Sequence, residues 1–369
     1  MTTLKNEAQT TAVGPPARRT RSANLILIRK IWPWVFLILM VAFFTVTAKV
    51  MNNTDFLSVR SIQGILDYST QILLLALGET YIIIAAGIDL SVGYMLGFAA
   101  VIAASIMQIL FAAGAPPFWT VTAGMLGGVL ASMIPGWVNG VLVAKVKVPP
   151  FISTLGLGYG VFGVALLISG GYPVAKQPPY LGQIGNGSVI YYWKGHGINF
   201  FKMPAGAAGG EVVPLISNLV FVTIIVTLIA WFVLSKTQFG QHLYAIGGNF
   251  EAAVRAGIPV QRTLTWVYII AGLLSGVAGS LWAARFTSGA ADAGVASLLM
   301  SIAAVVIGGA SLFGGEGTII GTIVGSLIIA TIQFGLVILG MKPFWQYAVV
   351  GLVVIVAVIV DQFGRTLER

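Results

Sequence analysis

Glu79 and Asp89 are two carboxylates ten residues apart in the stretch 78–93, which reads GETYIIIAAGIDLSVG. A long apolar run begins near Ile62 and continues past both, too apolar for the surface of a soluble helix. A charge at membrane depth costs about 2.5–3.5 kcal/mol on insertion scales, so such residues are rare and mark functional sites. Gly87 removes a side chain just ahead of Ile88, Asp89, Leu90 and Ser91. Asp89 and Ser91 both have the chemistry of a helix N-cap. The pattern predicts a membrane helix that breaks, turns and restarts, with polar side chains at the break. Irregular backbone is tolerated at depth where it is buried in protein or lines a cavity. A second use is open to Asp89, as the cap of a short loop at the membrane surface.

Other polar groups interrupt the apolar segments: Asp67, Gln71, Asn139, Trp266, Gln333 and Gln346. A polyhydroxylated ligand needs amides and carboxylates for its hydroxyls and aromatic faces for its apolar side. Glu79, Asp89, Ser91, Asn139 and Gln333 are therefore candidates for a polar pathway. Each also fits an interhelical hydrogen bond, worth about 0.6 kcal/mol on average. Several chemistries are excluded. Gly158, Gly160 and Gly163 match GxGxxG, but inside an apolar span and with no acidic residue before Glu211, so the strand–helix context of a dinucleotide site is missing. No GxxxxGK[ST] motif, HExxH motif or Ser/His/Asp set occurs. There is no cysteine, and His196 and His242 are the two histidines, so neither a metal nor a cofactor is expected.

These residues must be held by membrane helices. Of the 369 residues 57% are hydrophobic and 8% charged, with a mean hydropathy of +0.95. Soluble domains carry about 25% charged residues. The chain is thus an all-α polytopic membrane protein, and its net charge of +9 belongs to membrane orientation and not to nucleic-acid binding. At about 20 residues per span, roughly ten spans are predicted: 31–48, 62–86, 92–112, 118–144, 151–169, 215–234, 264–286, 298–312, 318–339 and 344–360. They form one transmembrane domain, 31–361, between a basic cytoplasmic tail, 1–30, disordered by composition, and a short cytoplasmic tail, 362–369. The Arg18-Arg19 pair precedes an apolar run too long for an export signal and without a cleavage site, so the first span is expected to stay. With both termini inside, 13 of the 20 lysines and arginines are cytoplasmic and 7 are not, as the positive-inside rule requires. That orientation puts the Gly-, Pro- and Tyr-rich loop 170–214 outside and the segment 236–262 in the cytoplasm.

Two further segments stand out. In 239–260, Asn249 is placed to cap a short helix, 250–256, that Gly257 terminates. Glu251 in its first turn and Arg255 in its last match the helix dipole and form an i,i+4 pair. This is either a solvated helix on the membrane surface or a docking helix gripped by a cytoplasmic partner. In 302–325, Gly308-Gly309 and Gly314-Gly315 flank a turn carrying Glu316, a counterpart in the second half of the break at 78–93. Interrupted segments in corresponding positions of two halves point to a transport site. Small-xxx-small pairs recur at Gly124/Gly128, Gly136/Gly140, Gly156/Gly160, Gly272/Gly276 and Gly317/Gly321/Gly325, a spacing that lets helices approach closely within a bundle or between subunits.

GETYIIIAAGIDLSVG, NGVLVAKVKVPPFISTLG (139–156), YAIGGNFEAAVRAGIPV and IAAVVIGGASLFGGEGTIIGTIVG stand in the order and spacing of one family. Over 57–361 the chain resembles the permease subunits of bacterial ABC importers for ribose, xylose, galactose and related sugars. The resemblance implies an importer-type ABC permease fold of about ten helices with re-entrant segments, in the bacterial inner membrane. It implies a monosaccharide or related polyol as substrate and no enzymatic activity on this chain. It also implies three protein partners besides membrane lipid: a cytoplasmic ABC ATPase, an extracytoplasmic sugar-binding protein and a second permease subunit, identical or paralogous. Asn249, Phe250, Glu251, Ala252, Ala253, Arg255 and Gly257 match the family's coupling helix, which fits a cleft in the ATPase. The chain departs from the pattern at Leu298-Leu299-Met300-Ser301, where the family usually has an acidic pair, at Glu316, where Arg is common, and in the length of 170–214. A branched-chain amino-acid ABC permease, an ion-coupled carrier using Glu79 or Asp89, and an integral-membrane transferase are the alternatives.

Overall fold

The computed structural model describes residues 19–201, 203, 211–342, 344, 345, 347–352 and 355, with side chains from residue 31. Residues 1–18, Lys202, the tail 362–369 and eight of the seventeen residues of the expected tenth span, Gln346 among them, lie outside the described residues. The helices are α1 (Arg19–Asn52), α2 (Val59–Ile84), α3 (Val92–Ala112), α4 (Pro117–Val141), α5 (Pro150–Ser169), α6 (Pro179–Asn186), α7 (Asn218–Lys236), α8 (Gln238–Gly248), α9 (Phe250–Arg255), α10 (Val260–Phe286), α11 (Val295–Ile307) and α12 (Ile319–Ile338). A π-helical turn, Leu142–Val146, extends α4. Strands β1 (Ser188–Trp193), β2 (Gly197–Phe200) and β3 (Val212–Ser217) lie between α6 and α7.

Among the described residues, seven segments are long and apolar enough to cross a membrane: Ile31–Asn52, Val92–Ala112, Pro117–Val146, Pro150–Ser169, Asn218–Lys236, Val260–Phe286 and Ile319–Ile338. Helix α2 is not among them, although its 26 residues span about 39 Å. Its Asp67, Gln71 and Glu79 dilute its hydropathy, and its surroundings explain how they are tolerated. It packs against α7, α10, α11 and α12 and is buried almost without interruption from Ser69 to Ile84. Protein, not lipid, surrounds it.

Helix α10 is the second internal element. Its start adjoins α8, and its end adjoins α6, where Asn186 Nδ2 donates to Arg285 O at 3.0 Å. The bundle therefore has an α9 end and a sheet end. Glycines seat α10 on α4: a Cβ on Gly136 would lie 2.5 Å from Tyr268 O, and one on Gly272 would lie 2.6 Å from Ser132 O. Gly156 and Gly160 have the same spacing, yet nothing lies within 4 Å of a Cβ at either.

One feature corrects the all-helical expectation, and a second corrects the bounds of a predicted span. In 188–217 the chain forms an antiparallel sheet of order β2-β1-β3, with Tyr192 opposite both Ile198 and Val213. Gly195 and Gly197, at φ 82° and 92°, make the tight return, and the Trp193 and His196 rings stack at 3.9 Å across it. Glycine takes such backbone without the Cβ penalty. Secondly, the eighth span is only a half-helix, α11, of 13 residues, about 20 Å long. Residues 287–294 precede it as non-helical chain laid along α3. Gly289 abuts Ala100 O, Ala291 O abuts Gly97, and Gly294 abuts Gly93 O.

Candidate functional site

The predicted break is present and buried. Helix α2 ends at Ile84, Ala86 takes a left-handed φ of 61°, and α3 begins at Val92. Asp89, Ser91 and Asn139 are each 0% exposed, which removes the surface-loop use of Asp89. Ser91 is the N-cap residue of α3, but its side chain makes no capping bond. Asp89 Oδ1 instead accepts from Ser91 N at 2.6 Å and from Ser91 Oγ at 2.5 Å. Ser91 Oγ in turn accepts from Asn139 Nδ2 at 3.0 Å, and Asn139 Oδ1 accepts from Ser153 Oγ at 3.0 Å. The result is a directed chain of donors from α5 through α4 that ends on the carboxylate. Thr154 pins the same linker, its Oγ1 accepting from Leu90 N at 3.0 Å.

Glu79 faces this network from α2. It is fully buried and within electrostatic reach of Asp89, as is Tyr268 of α10. Both Glu79 oxygens and Asp89 Oδ2 find no hydrogen-bond partner among the described residues. The structure thus brings together Glu79, Asp89, Ser91 and Asn139. It does not bring Gln333 to them. Thr80 meets Thr322 of α12 at 2.6 Å, and Gln333 lies eleven residues further along that helix, about 16 Å away. Its Nε2 faces Met300 Sδ at 2.9 Å.

The second break, between α11 and α12, lies against the first. Gly315 N donates to Ile84 O at 2.9 Å. A Cβ on Gly314 would lie 2.7 Å from Ala86 Cβ and 2.9 Å from Gly247 O, and Gly247 itself abuts Ile84 O. Tyr244 Oη donates to Gly317 O at 2.6 Å. Burial raises the Tyr244 hydroxyl above the usual tyrosine range. The end of α8 is therefore wedged between the two breaks. None of these contacts was visible in sequence.

Helix α9 follows directly. Asn249 Oδ1 accepts from Ala252 N at 2.9 Å, and Gly257, at φ 77°, ends the helix. Arg255 Nη2 and Glu251 Oε2 are 3.4 Å apart and solvent-exposed. Ala253 is the inward anchor, buried with Ile246 and Val260, while Ala252 donates its N–H to the cap. Phe250 and Val254 are 54% and 52% exposed. Beneath α9 opens a cavity of about 1050 Å³ lined by Gly87, Lys147, Asn249, Val254, Arg262 and Tyr268, among others. It connects the exposed helix with the first break.

The comparisons with known proteins fit this architecture. Residues 61–358 match the family model described as the permease component of a branched-chain amino acid transport system. The chain is 37% identical over 287 residues to the fructose import permease of Rhizobium meliloti, covering 78% of this chain and 73% of that one. It is 35% identical over 336 residues to the ribose import permease of Bacillus subtilis, covering 91% and 94%. It is 33% identical over 335 residues to the L-arabinose ABC transporter permease of Azospirillum brasilense, covering 91% and 88%. The chain belongs to the permease family of bacterial ABC importers. No solved structure matches the permease. It is a multi-pass membrane protein and a transport component, not an enzyme, and its family works with ATPase and binding-protein partners. The transferase and the ion-coupled carrier give way to this membership.

Proposed function

We propose that this permease is half of a channel that carries a monosaccharide or related polyol into the bacterial cytoplasm. A second permease, identical or paralogous, supplies the other half. About ten spans cross the inner membrane, α9 lies on the cytoplasmic side with both termini, and the sheet lies outside. A separate ATPase grips α9 through Asn249, Phe250, Glu251, Ala252, Ala253, Arg255 and Gly257. A sugar-binding protein docks on the outer face, including the sheet. Glu79, Asp89, Ser91 and Asn139 belong to the moving machinery of the pathway, and Gln333 to a separate stretch of it.

The observation that carries this reading is α9 itself. It is a six-residue helix, far too short to be stable alone, yet held by a cap, a buried alanine and a glycine stop. It presents two exposed apolar side chains beside an ion pair, the composition of a docking surface. The sugar class is supported by the relatives above, whose names specify fructose, ribose and L-arabinose. The family model's description keeps a branched-chain amino acid as the second substrate reading.

Affinity purification in mild detergent with mass spectrometry tests the assembly. A P-loop ATPase in about equal amount is expected, and uptake of radiolabelled sugars and of leucine separates the two substrate classes. A permease that purifies alone and transports after ATP depletion would overturn the proposal.

A further inference from the structure

Asp292 is an exposed carboxylate on the non-helical segment 287–294. Its depth follows from the packing of 287–294. A Cβ on Gly279 of α10 would lie 2.8 Å from Ala99 Cβ and 3.0 Å from Ala100 N. Gly279 is seven residues before the end of α10, about 10 Å inside the sheet end. Ala291 O abuts Gly97, and Gly294 abuts Gly93, each further along α3 towards the α9 end. Asp292 lies between these two contacts. An ionisable side chain at such depth faces a water-filled cavity or another polypeptide, because lipid is too costly for it.

An adjoining surface is also open. Ala291 packs in one cluster with Val101 and Ala165, against which Phe98 and Phe162 rest. Tyr94 touches Phe162 and Tyr159, with ring centroids at 5.6 Å and 5.3 Å. Tyr159 is 59% exposed, and nothing lies within 4 Å of a Cβ at Gly156, Gly160 or Gly163 on the same helix. Past Asp292, Val295, Ala296 and Leu299 at the start of α11 are exposed as well. An exposed carboxylate and a partly exposed aromatic ring therefore stand on segments joined through one apolar cluster.

The geometry points to a sugar-contacting station in the translocation pathway, in which Asp292 accepts hydrogen bonds from ligand hydroxyls and the Tyr159 ring covers the ligand's apolar face. The station rests on the sugar-permease reading. It is distinct from the network at Asp89, which is sealed from solvent. It also accounts for the non-helical course of 287–294, since irregular backbone at depth is tolerated beside a cavity.

The permease has no cysteine, so single cysteines report accessibility directly. Asp292→Cys, Ala296→Cys and Tyr159→Cys in the purified complex are expected to react with a charged, membrane-impermeant methanethiosulfonate. Leu228→Cys, on the apolar outer face of α7, is expected not to react. Asp292→Asn is expected to lower uptake efficiency at least about tenfold, the scale of one hydrogen bond to a charged group, while the complex keeps its basal ATP hydrolysis. Uptake is read with whichever of D-ribose, D-fructose, L-arabinose and D-galactose the wild type carries. Unreactive cysteines at 292 and 159, or wild-type uptake by Asp292→Asn, would overturn the station. Failure of the importer reading shows separately, as a complex without an ATPase, and leaves the labelling result interpretable.

Discussion

Asp89 shows how one side chain organises a buried turn. Its Oδ1 takes both the backbone N–H and the hydroxyl of Ser91, and through Ser91 it anchors Asn139 and Ser153. Asp89→Ala leaves a buried N–H and a hydroxyl without their acceptor, at about 1–3 kcal/mol for each orphaned group. Loss of stability in detergent and impaired uptake are expected, read by thermal unfolding and transport. Asp89→Asn keeps an acceptor oxygen and should retain most of the stability; equal damage in both variants would mean that charge, not the hydrogen-bond chain, is what matters. The carboxylate and the break were legible from GETYIIIAAGIDLSVG, because a charge beside glycine in an apolar run has few placements. Its partners were not, since Asn139 and Ser153 come from other helices and only packing selects them. Gln333, of the same chemical type, was carried elsewhere by the length of α12.

Among the elements, α9 was the most legible. Capping, dipole and glycine-stop chemistry act within a few residues, so Asn249, Glu251, Arg255 and Gly257 predict the helix the structure shows. What α9 is attached to was hidden. Gly247 is pressed between Ile84 and Gly315, whereas a Cβ on the neighbouring Gly248 meets nothing within 4 Å. The end of α8, from which α9 leads on, thus touches the first break at Gly247 and the second at both Gly247 and Tyr244. Gly247→Ala is expected to lower sugar transported per ATP hydrolysed several-fold, and Gly248→Ala to leave it unchanged. Reconstituted complexes measured for uptake and hydrolysis decide this, and equal ratios in the two variants would sink the linkage. Glu251→Lys and Gly257→Pro act one step earlier, at the docking surface. They should uncouple hydrolysis from uptake without reducing the yield of folded permease, and normal uptake in both would remove α9 from the coupling path.

Across the whole molecule, α2 and α10 form a buried spine against which the apolar helices lean. The α4–α10 seam leaves no space for a side chain at Gly136 or Gly272. Gly272→Leu forces the helices apart and should abolish monodisperse protein in size-exclusion chromatography, because overpacking typically costs about 1–3 kcal/mol and the neighbours at Ser132, Met133 and Gly136 are backbone atoms that cannot move aside cheaply. Gly160→Leu, with the same local motif, should purify normally. A folded Gly272→Leu protein would mean that the seam is looser than its geometry.

By itself the sequence determined the class of molecule, the positions of its two breaks and the short capped helix between spans, since hydropathy, glycine and capping act locally along the chain. It also carried the family, through four blocks in fixed order. Tertiary structure decided what touches what. It buried the polar α2 at the centre, folded 188–217 into a sheet, and laid 287–294 along α3 so that Asp292 lies at depth. It set both breaks and Gly247 in one junction, and it closed one pair of glycines while leaving another open. Those outcomes depend on close packing between segments far apart in the chain, where a contact exists only once the neighbouring helix is in place.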